Sequence, residues 1–208
     1  VGNQWKNWVF TRVDTDAGIH GIGEATLNGF AKIVEAAIQE LKRFVIGEDP
    51  FDVENHTLKL FREVYSDGGQ IHGAALSGIE FACWDIIGKV THQPVYKLIG
   101  GRCHPRLRVY ANGWYRGARE PRSFYDKAKE VVARGYTALK FDPFGPAWRA
   151  VDRADFALAI EIIASVRDAV GSNVDIMIEA HNRFSPHVAL QFAEAMAQYK
   201  PTWFETPV

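Results

Sequence analysis

The 208-residue sequence predicts an α+β domain over residues 1–105, followed over residues 106–208 by part of a parallel α/β barrel. Three observations support this fold class. A β-hairpin and amphipathic helices fill the first half, strands alternate with helices in the second half, and several strands of the second half end in charged side chains.

The first half opens with a hairpin. Residues 8–15 alternate apolar and polar side chains, residues 16–18 supply an Asp-Ala-Gly turn, and residues 19–25 return as the second strand. Three segments with apolar residues at helical spacing follow: 31–44, 53–65 and 74–89. The last of these helices is apolar around most of its circumference, which predicts that it is buried on several sides.

The second half predicts four strands with a helix after each of the first three. The strands are expected at 107–111, 137–142, 174–180 and 202–205, and the helices at 121–134, 154–170 and 186–199. Strands joined by helices of this length pair in parallel through right-handed crossovers. An open doubly wound sheet and a barrel both fit this order. The barrel is favoured because no Gly-rich phosphate loop follows the first strand and charged residues end several strands.

Four strands do not close a barrel, because two strand edges and one apolar face would stay open. We therefore expect these 208 residues to be part of a longer functional chain. The expected domains are an α+β domain at 1–105 and the first half of a barrel domain at 106–208.

Composition limits the classes of function. The 24 basic and 25 acidic residues give a net charge of −1 without a basic cluster, so binding to nucleic acid or to an anionic membrane is not expected. Two cysteines, Cys83 and Cys103, do not indicate a disulfide framework, and we expect a cytoplasmic protein. No apolar run reaches transmembrane length and no signal peptide pattern is visible.

Two carboxylates end neighbouring predicted strands. Glu179 lies at the end of the third strand and Glu205 at the end of the fourth. Because the carboxyl ends of parallel strands meet at one end of a barrel, the pair suits a hard divalent cation bound through oxygens. His181 follows Glu179 by two residues, and alternation along a strand places both side chains on one face. Lys140 and Asp142 show the same spacing on the second strand.

Three further segments resemble a known family. Residues 75–89 read ALSGIEFACWDIIGK, residues 94–101 read PVYKLIGG, and residues 21–25 read GIGEA. In this order they strongly resemble the enolase superfamily, in its mandelate racemase/muconate lactonising branch. The resemblance spans nearly the whole chain. It implies an α+β capping domain over 1–105 that lids a TIM-like (β/α)₇β barrel, of which about the first four strands are present from residue 106.

The resemblance also implies a Mg²⁺ ion held by three carboxylates on successive strands. Glu179 and Glu205 match the first two ligand positions, and the third belongs at the end of a fifth strand, which this sequence does not reach. Glu179 stands where the family often has Asp, and its extra methylene moves the carboxylate. Thr206 stands where the family often has Glu or Gln, a change that should matter less because the residue before it is the ligand.

Sugar-acid dehydratases of this branch, such as those acting on galactonate, are similar at the third strand end, where they carry acid-x-His. That resemblance implies that His181 is the general acid that protonates a departing hydroxyl, a role suited to a pKa near neutrality. Racemases of the family carry Lys-x-Lys on the second strand, and Asp142 in the second position counts against a two-base racemase. Lys140 is expected to act electrostatically near the ligand carboxylates and the substrate anion.

Several polar or aromatic residues keep two interpretations. Asp142 either orients Lys140 or binds a substrate hydroxyl. Asn182 and Arg183 follow the third strand, where they either contact the substrate or belong to a surface loop. Two tryptophans and one Gly-rich segment are either parts of a lid or ordinary loops: Trp5, Trp8 and residues 65–72.

The leading hypothesis is a Mg²⁺-dependent dehydratase of a sugar acid, an aldonate or aldarate. A base removes the α-proton to give an enediolate, and His181 protonates the leaving β-hydroxyl. By resemblance the base is a His supported by an Asp on later strands. The alternatives are a racemase or cycloisomerase of the same superfamily, and a non-catalytic member that binds metal and a sugar acid. The expected partner is a small-molecule carboxylate, and a homo-oligomer is expected.

Overall fold

The computed structural model describes residues 2, 7–63, 65, 68–117 and 119–208. Within the predicted lid, Trp5, Ser66 and Asp67 lie outside the described residues. The chain forms two compact units, Val1–Pro105 and Arg106–Val208. None of the helices in the described ranges has both the length and the apolar composition needed to cross a bilayer.

The first unit is a hairpin packed on helices, as predicted. Strands β1 (Phe10–Asp14) and β2 (His20–Glu24) pair antiparallel, with Phe10 opposite Glu24 and Asp14 opposite His20. The core of this unit includes Val34, Leu60 and Ile79. A short fourth helix was not predicted, because four residues are too few to show helical periodicity. The elements are β1 (Phe10–Asp14), β2 (His20–Glu24), α1 (Ala31–Leu41, continued by a 3-10 turn at Lys42–Phe44), α2 (Val53–Arg62), α3 (Gly69–Thr91) and α4 (Val95–Leu98).

Helix α3 packs against the hairpin and also against α1 and α2, which confirms that this apolar helix is buried on several sides. A Cβ placed on Gly21 would lie 1.9 Å from the carbonyl oxygen of Ala82, and one on Gly23 would lie 2.0 Å from that of Gly78. Strand β2 carries glycine at both positions because any larger residue would collide with the α3 backbone.

We expect Gly78→Ala to destabilise the protein by about 1–3 kcal/mol through overpacking. The added Cβ would lie 2.7 Å from both the Cβ of Ala25 and the Oγ1 of Thr11. Gly73→Ala, in the same helix, is the matched control: its Cβ has no neighbour within 4 Å, so it should stabilise the helix by about 0.5–1 kcal/mol. Urea unfolding measures both variants, and equal effects would contradict the close packing at Gly78.

The second unit contains a parallel sheet whose strands lie in the order β3 (Ala138–Phe141), β4 (Asp175–Glu179) and β5 (Trp203–Glu205), with helices between them. The side chains of Asp152 and Ser185 cap the second and third helices by accepting backbone N–H groups of the first turn. Fully buried residues of the core include Phe141, Ile176 and Phe192. The elements are α5 (Pro121–Ala133), β3 (Ala138–Phe141), α6 (Arg153–Val170), β4 (Asp175–Glu179), α7 (Pro186–Met196, continued by a 3-10 turn at Ala197–Tyr199) and β5 (Trp203–Glu205).

The strand predicted at 107–111 is wrong in extent. Only Ala111 pairs with β3, through an isolated parallel bridge to Leu139. The Ala111 N–H donates to Ala138 O and the Lys140 N–H donates to Ala111 O, both at 2.9 Å. The apolar side chains of Leu107 and Val109 are exposed. A ladder needs a run of paired residues, and this edge segment has a partner at one residue only.

Candidate active site

Three parallel strands bring the predicted ligands to one edge of the sheet. Glu179 on β4 and Glu205 on β5 are direct Cα partners in the ladder, so their side chains leave the same face. Lys140 on β3 pairs with Met177, two residues before Glu179, and therefore shares that face as well. Lys140 and Glu179 are each only 7% exposed. The structure thus brings together the three charged residues that the strand ends predicted.

Lys140 bridges the two carboxylates. Its Nζ donates to Oε2 of Glu179 at 3.0 Å and to Oε1 of Glu205 at 2.8 Å. Burial alone would lower the pKa of Lys140, but the hydrogen bonds and charges of Glu205 and Glu179 raise it above its usual value. Burial likewise raises the pKa of Glu179, and the hydrogen bonds from the His181 backbone and from Lys140 outweigh burial and bring it well below its usual value. Lys140 and Glu179 are therefore both charged at neutral pH.

Two further donors, which the sequence did not identify, hold the carboxylates in place. Thr206 Oγ1 donates to Oε1 of Glu179 at 3.1 Å, and Trp203 Nε1 donates to Oε2 of Glu205 at 3.1 Å. Thr206, which departs from the family pattern, thus contacts Glu179, the residue at the first expected ligand position. Trp203 and Glu205 show the i, i+2 spacing of a strand, which is the one sequence signal that this contact offers.

His181 reaches the same edge by a different route from the predicted one. Strand β4 ends at Glu179, and His181 and Asn182 both have φ of +53°, in the left-handed region. Strand alternation therefore does not extend to His181, and that premise of the prediction is wrong. Instead, the turn directs the His181 backbone N–H to Oε1 of Glu179 at 3.0 Å. The Asn182 N–H donates to Thr206 O at 2.7 Å, and Asn182 is an exposed residue.

Asp142 and Arg183 form a second ionic cluster with His181. Oδ2 of Asp142 accepts from Arg183 Nη2 and lies 3.0 Å from His181 Nδ1, while its Oδ1 accepts the Phe144 N–H at 2.9 Å. Arg183 also donates from Nε to the Ala180 carbonyl at 2.8 Å. Asp142 therefore contacts His181 and Arg183 rather than orienting Lys140. The substrate-binding roles of Asp142, Asn182 and Arg183 stay predictions.

The donor set fits magnesium in kind but is incomplete within this chain. Glu179 and Glu205 present adjacent anionic oxygens, the ligand type that Mg²⁺ takes. Among the described residues no group of three or more His, Cys, Asp or Glu side chains has the spacing to hold a metal ion. Two carboxylates are fewer ligands than Mg²⁺ takes, so a magnesium site built on them would need further ligands.

Comparisons with known proteins bear on both units. Residues 2–100 match the family model described as mandelate racemase/muconate lactonizing enzyme, N-terminal domain, and residues 123–208 match the one described as enolase C-terminal domain-like. The chain is 40% identical to a D-gluconate dehydratase of Thermoproteus tenax, over 99% of this chain and 42% of that protein. It is 33% identical to a D-gluconate/D-galactonate dehydratase of Picrophilus torridus, over 98% of this chain and 53% of that protein. The chain spans about half the length of these curated relatives.

Solved structures agree with the sequence matches. A member of the enolase superfamily from Salmonella Typhimurium superposes with a TM-score of 0.93 at 30% identity, over 100% of this chain and 59% of that chain. A mandelate racemase/muconate lactonizing enzyme from Sulfitobacter superposes with a TM-score of 0.87 at 32% identity, over 97% of this chain and 54% of that chain. The capping-domain and barrel-domain models lie in the expected order, and the chain belongs to the mandelate racemase/muconate lactonizing enzyme family of the enolase superfamily.

Proposed function

We propose that this chain is the capping domain and the first half of the (β/α)₇β barrel of a Mg²⁺-dependent sugar-acid dehydratase. The observation that carries the proposal is the meeting of two paired carboxylates, Glu179 and Glu205, with an exposed imidazole, His181, at one sheet edge. The names of the relatives, dehydratases of D-gluconate and D-galactonate, support the substrate class. The cytoplasmic location and the homo-oligomeric state stay predictions.

Glu179 and Glu205 would hold the magnesium ion together with a ligand from outside this chain. The bound cation supplies Lewis-acid stabilisation of negative charge on the substrate carboxylate. Lys140, hydrogen-bonded to both glutamates, fixes their side chains and adds positive charge on the same face of the sheet. That charge favours an anionic substrate and the further negative charge that develops when an α-proton leaves.

His181 has the chemistry for the second half of an elimination. A base removes the α-proton, the bond from the β-carbon to its hydroxyl oxygen breaks, and the protonated imidazole gives its proton to that oxygen, so that water leaves. The resulting enol tautomerises to a 2-keto-3-deoxy acid. The His181 side chain is 58% exposed, which leaves it open to a substrate, while its Nδ1 lies against Asp142. The base lies outside this chain in the proposed mechanism.

The proposed activity is tested on the complete protein with Mg²⁺ and a panel of aldonic and aldaric acids. We expect a 2-keto-3-deoxy product from at least one acid, detected by its periodate–thiobarbiturate colour and by mass, and we expect chelation of the metal to abolish it. Failure of every acid in the panel would contradict the proposal. Racemisation or lactonisation without loss of water would point to an isomerase.

We expect Glu179→Gln and Glu205→Gln each to weaken Mg²⁺ binding by more than the ~10–100-fold typical of losing an outer contact of a metal site. Isothermal titration with Mg²⁺ measures this without turnover. Glu194→Gln is the matched control, because Glu194 is an exposed glutamate on α7, away from the strand ends. Affinity retained in both site variants would place the metal elsewhere.

A further inference from the structure

The carboxylate of Asp142 links the turn after β3 to the turn after β4. Asp142 follows β3, and His181 and Arg183 follow β4. The side chains of Asp142 and Arg183 are 13% and 12% exposed, whereas that of His181 is 58% exposed. The cluster thus has two mostly buried side chains that contact each other and one exposed side chain that contacts Asp142.

The hydrogen bonds fix which imidazole nitrogen is available. Oδ2 of Asp142 lies 3.0 Å from Nδ1 of His181, and an ionised carboxylate only accepts hydrogen bonds. Arg183 Nη2 lies 3.4 Å from the same nitrogen, but a guanidinium only donates and is already directed at Asp142. The neutral imidazole therefore carries its hydrogen on Nδ1, and Nε2 is the nitrogen left for other partners.

Arg183 donates its hydrogen bonds to groups of the protein itself. It donates from Nε to the Ala180 carbonyl at 2.8 Å, from Nη1 to the Gly145 carbonyl at 2.5 Å and from Nη2 to Asp142. With these three contacts and little exposure, its guanidinium presents no free edge for the bidentate binding of a substrate carboxylate. Its contacts span both turns, at Gly145 after β3 and at Ala180 after β4.

The backbone of the β4 turn also needs external support. His181 and Asn182 both adopt a φ of +53°, which non-glycine residues rarely take and which costs free energy at each residue. Arg183 binds the carbonyl of Ala180, immediately before this pair, and so braces the turn from which the His181 side chain projects.

We propose that Arg183 and Asp142 are positioning residues for His181: Arg183 fixes Asp142, and Asp142 holds the imidazole with Nε2 available to the departing hydroxyl. This inference rests on the proposed dehydratase function and deepens it. It replaces substrate contact by Asp142 and Arg183 with a chain of hydrogen bonds that acts through the histidine.

The test compares Asp142→Asn, Arg183→Gln and Arg183→Lys in the complete protein with Mg²⁺ and an acid that the wild type dehydrates. For Asp142→Asn we expect kcat for elimination to fall about 10²–10⁴-fold, the range for a misplaced acid–base histidine, with KM changed less than about threefold. Exchange of the substrate α-proton in deuterated water should continue. Arg183→Gln should show the same pattern in weaker form, and Arg183→Lys should recover part of the loss.

Matched controls come from a surface pair of the same composition. Arg122 and Asp126 form an exposed i, i+4 pair on α5, so Arg122→Gln and Asp126→Asn should leave kcat unchanged. A rise in KM with unchanged kcat in Arg183→Gln would identify Arg183 as a substrate contact and overturn the inference. Equal losses of elimination and of α-proton exchange in Asp142→Asn would overturn it as well.

A readout that needs no turnover separates this inference from the proposed function. Nitrogen-15 NMR of the neutral His181 imidazole should show hydrogen on Nδ1 in the wild type and a shift toward the Nε2–H tautomer in Asp142→Asn. Hydrogen on Nε2 in the wild type overturns the inference even if a variant fails to fold. If the wild type shows the Nδ1–H form but dehydrates no acid, the dehydratase proposal fails while the positioning of His181 stands.

Discussion

His181→Asn should lower the rate of β-elimination by at least about 100-fold, because general acid–base catalysis by a positioned side chain contributes about 10²–10⁴-fold. Asparagine keeps a polar side chain of similar reach but has no proton to give at neutral pH. The base in the proposed mechanism lies outside this chain, so exchange of the α-proton with deuterated water should continue. Product formation and deuterium incorporation are measured in the same reaction, by colorimetry and by mass spectrometry.

His187→Asn is the control for this substitution. His187 is exposed near the start of α7, and its replacement should leave both rates unchanged. Normal turnover by His181→Asn would show that another group delivers the proton. Loss of both elimination and exchange would instead make His181 the base, which would reverse the proposed assignment.

Lys140→Met should destabilise the metal-free protein by about 3–5 kcal/mol, the usual cost of removing one partner from a buried ion pair. Methionine fills a similar volume, but it leaves the carboxylates of Glu179 and Glu205 adjacent and without their shared cation. Urea unfolding in the presence of a chelator measures the change in the free energy of unfolding.

Two further variants sharpen this measurement. Lys129→Met removes an exposed lysine from α5 and should change stability by less than about 0.5 kcal/mol. The double variant Lys140→Met/Glu179→Gln should lose less than the sum of the single changes, because it removes one of the two repelling charges. A loss below about 1 kcal/mol in Lys140→Met, or strict additivity in the double variant, would show that the three groups are not coupled.

The regular elements were accessible to sequence reasoning because they follow local patterns. Periodicity located the hairpin, the long helices and the strands that end at Phe141, Glu179 and Glu205 to within a few residues. The segment at 107–111 has the same local pattern as those strands, yet one residue of it pairs. Its apolar residues show strand propensity. Pairing also depends on neighbouring strands, which a local sequence pattern does not specify.

The positions of the site residues at strand ends could be predicted from the sequence, and the positions of those in turns could not. Glu179, Glu205 and Lys140 meet because parallel strands share an edge, a rule of the fold. His181 meets Asp142 through a left-handed turn. The residues with positive φ in that turn are not glycines, so the sequence does not indicate the turn. Arg183 illustrates the same limit. Its position after a strand is compatible with substrate contact or with a surface loop, whereas its guanidinium donates to the nearby carbonyl of Ala180 and to that of Gly145, which is distant in sequence.

The register between β4 and β5 sets a limit on insertions and deletions. Strand β5 is three residues long. Glu205 lies opposite Glu179 because the connection from α7 has the length that this register requires. Gaining or losing one residue between Tyr199 and Trp203 would turn Glu205 to the opposite face and bring an adjacent side chain, such as that of Phe204, to the carboxylate position. Recombination with relatives should therefore place its crossover points outside this connection, where a change of length does not separate the two glutamates.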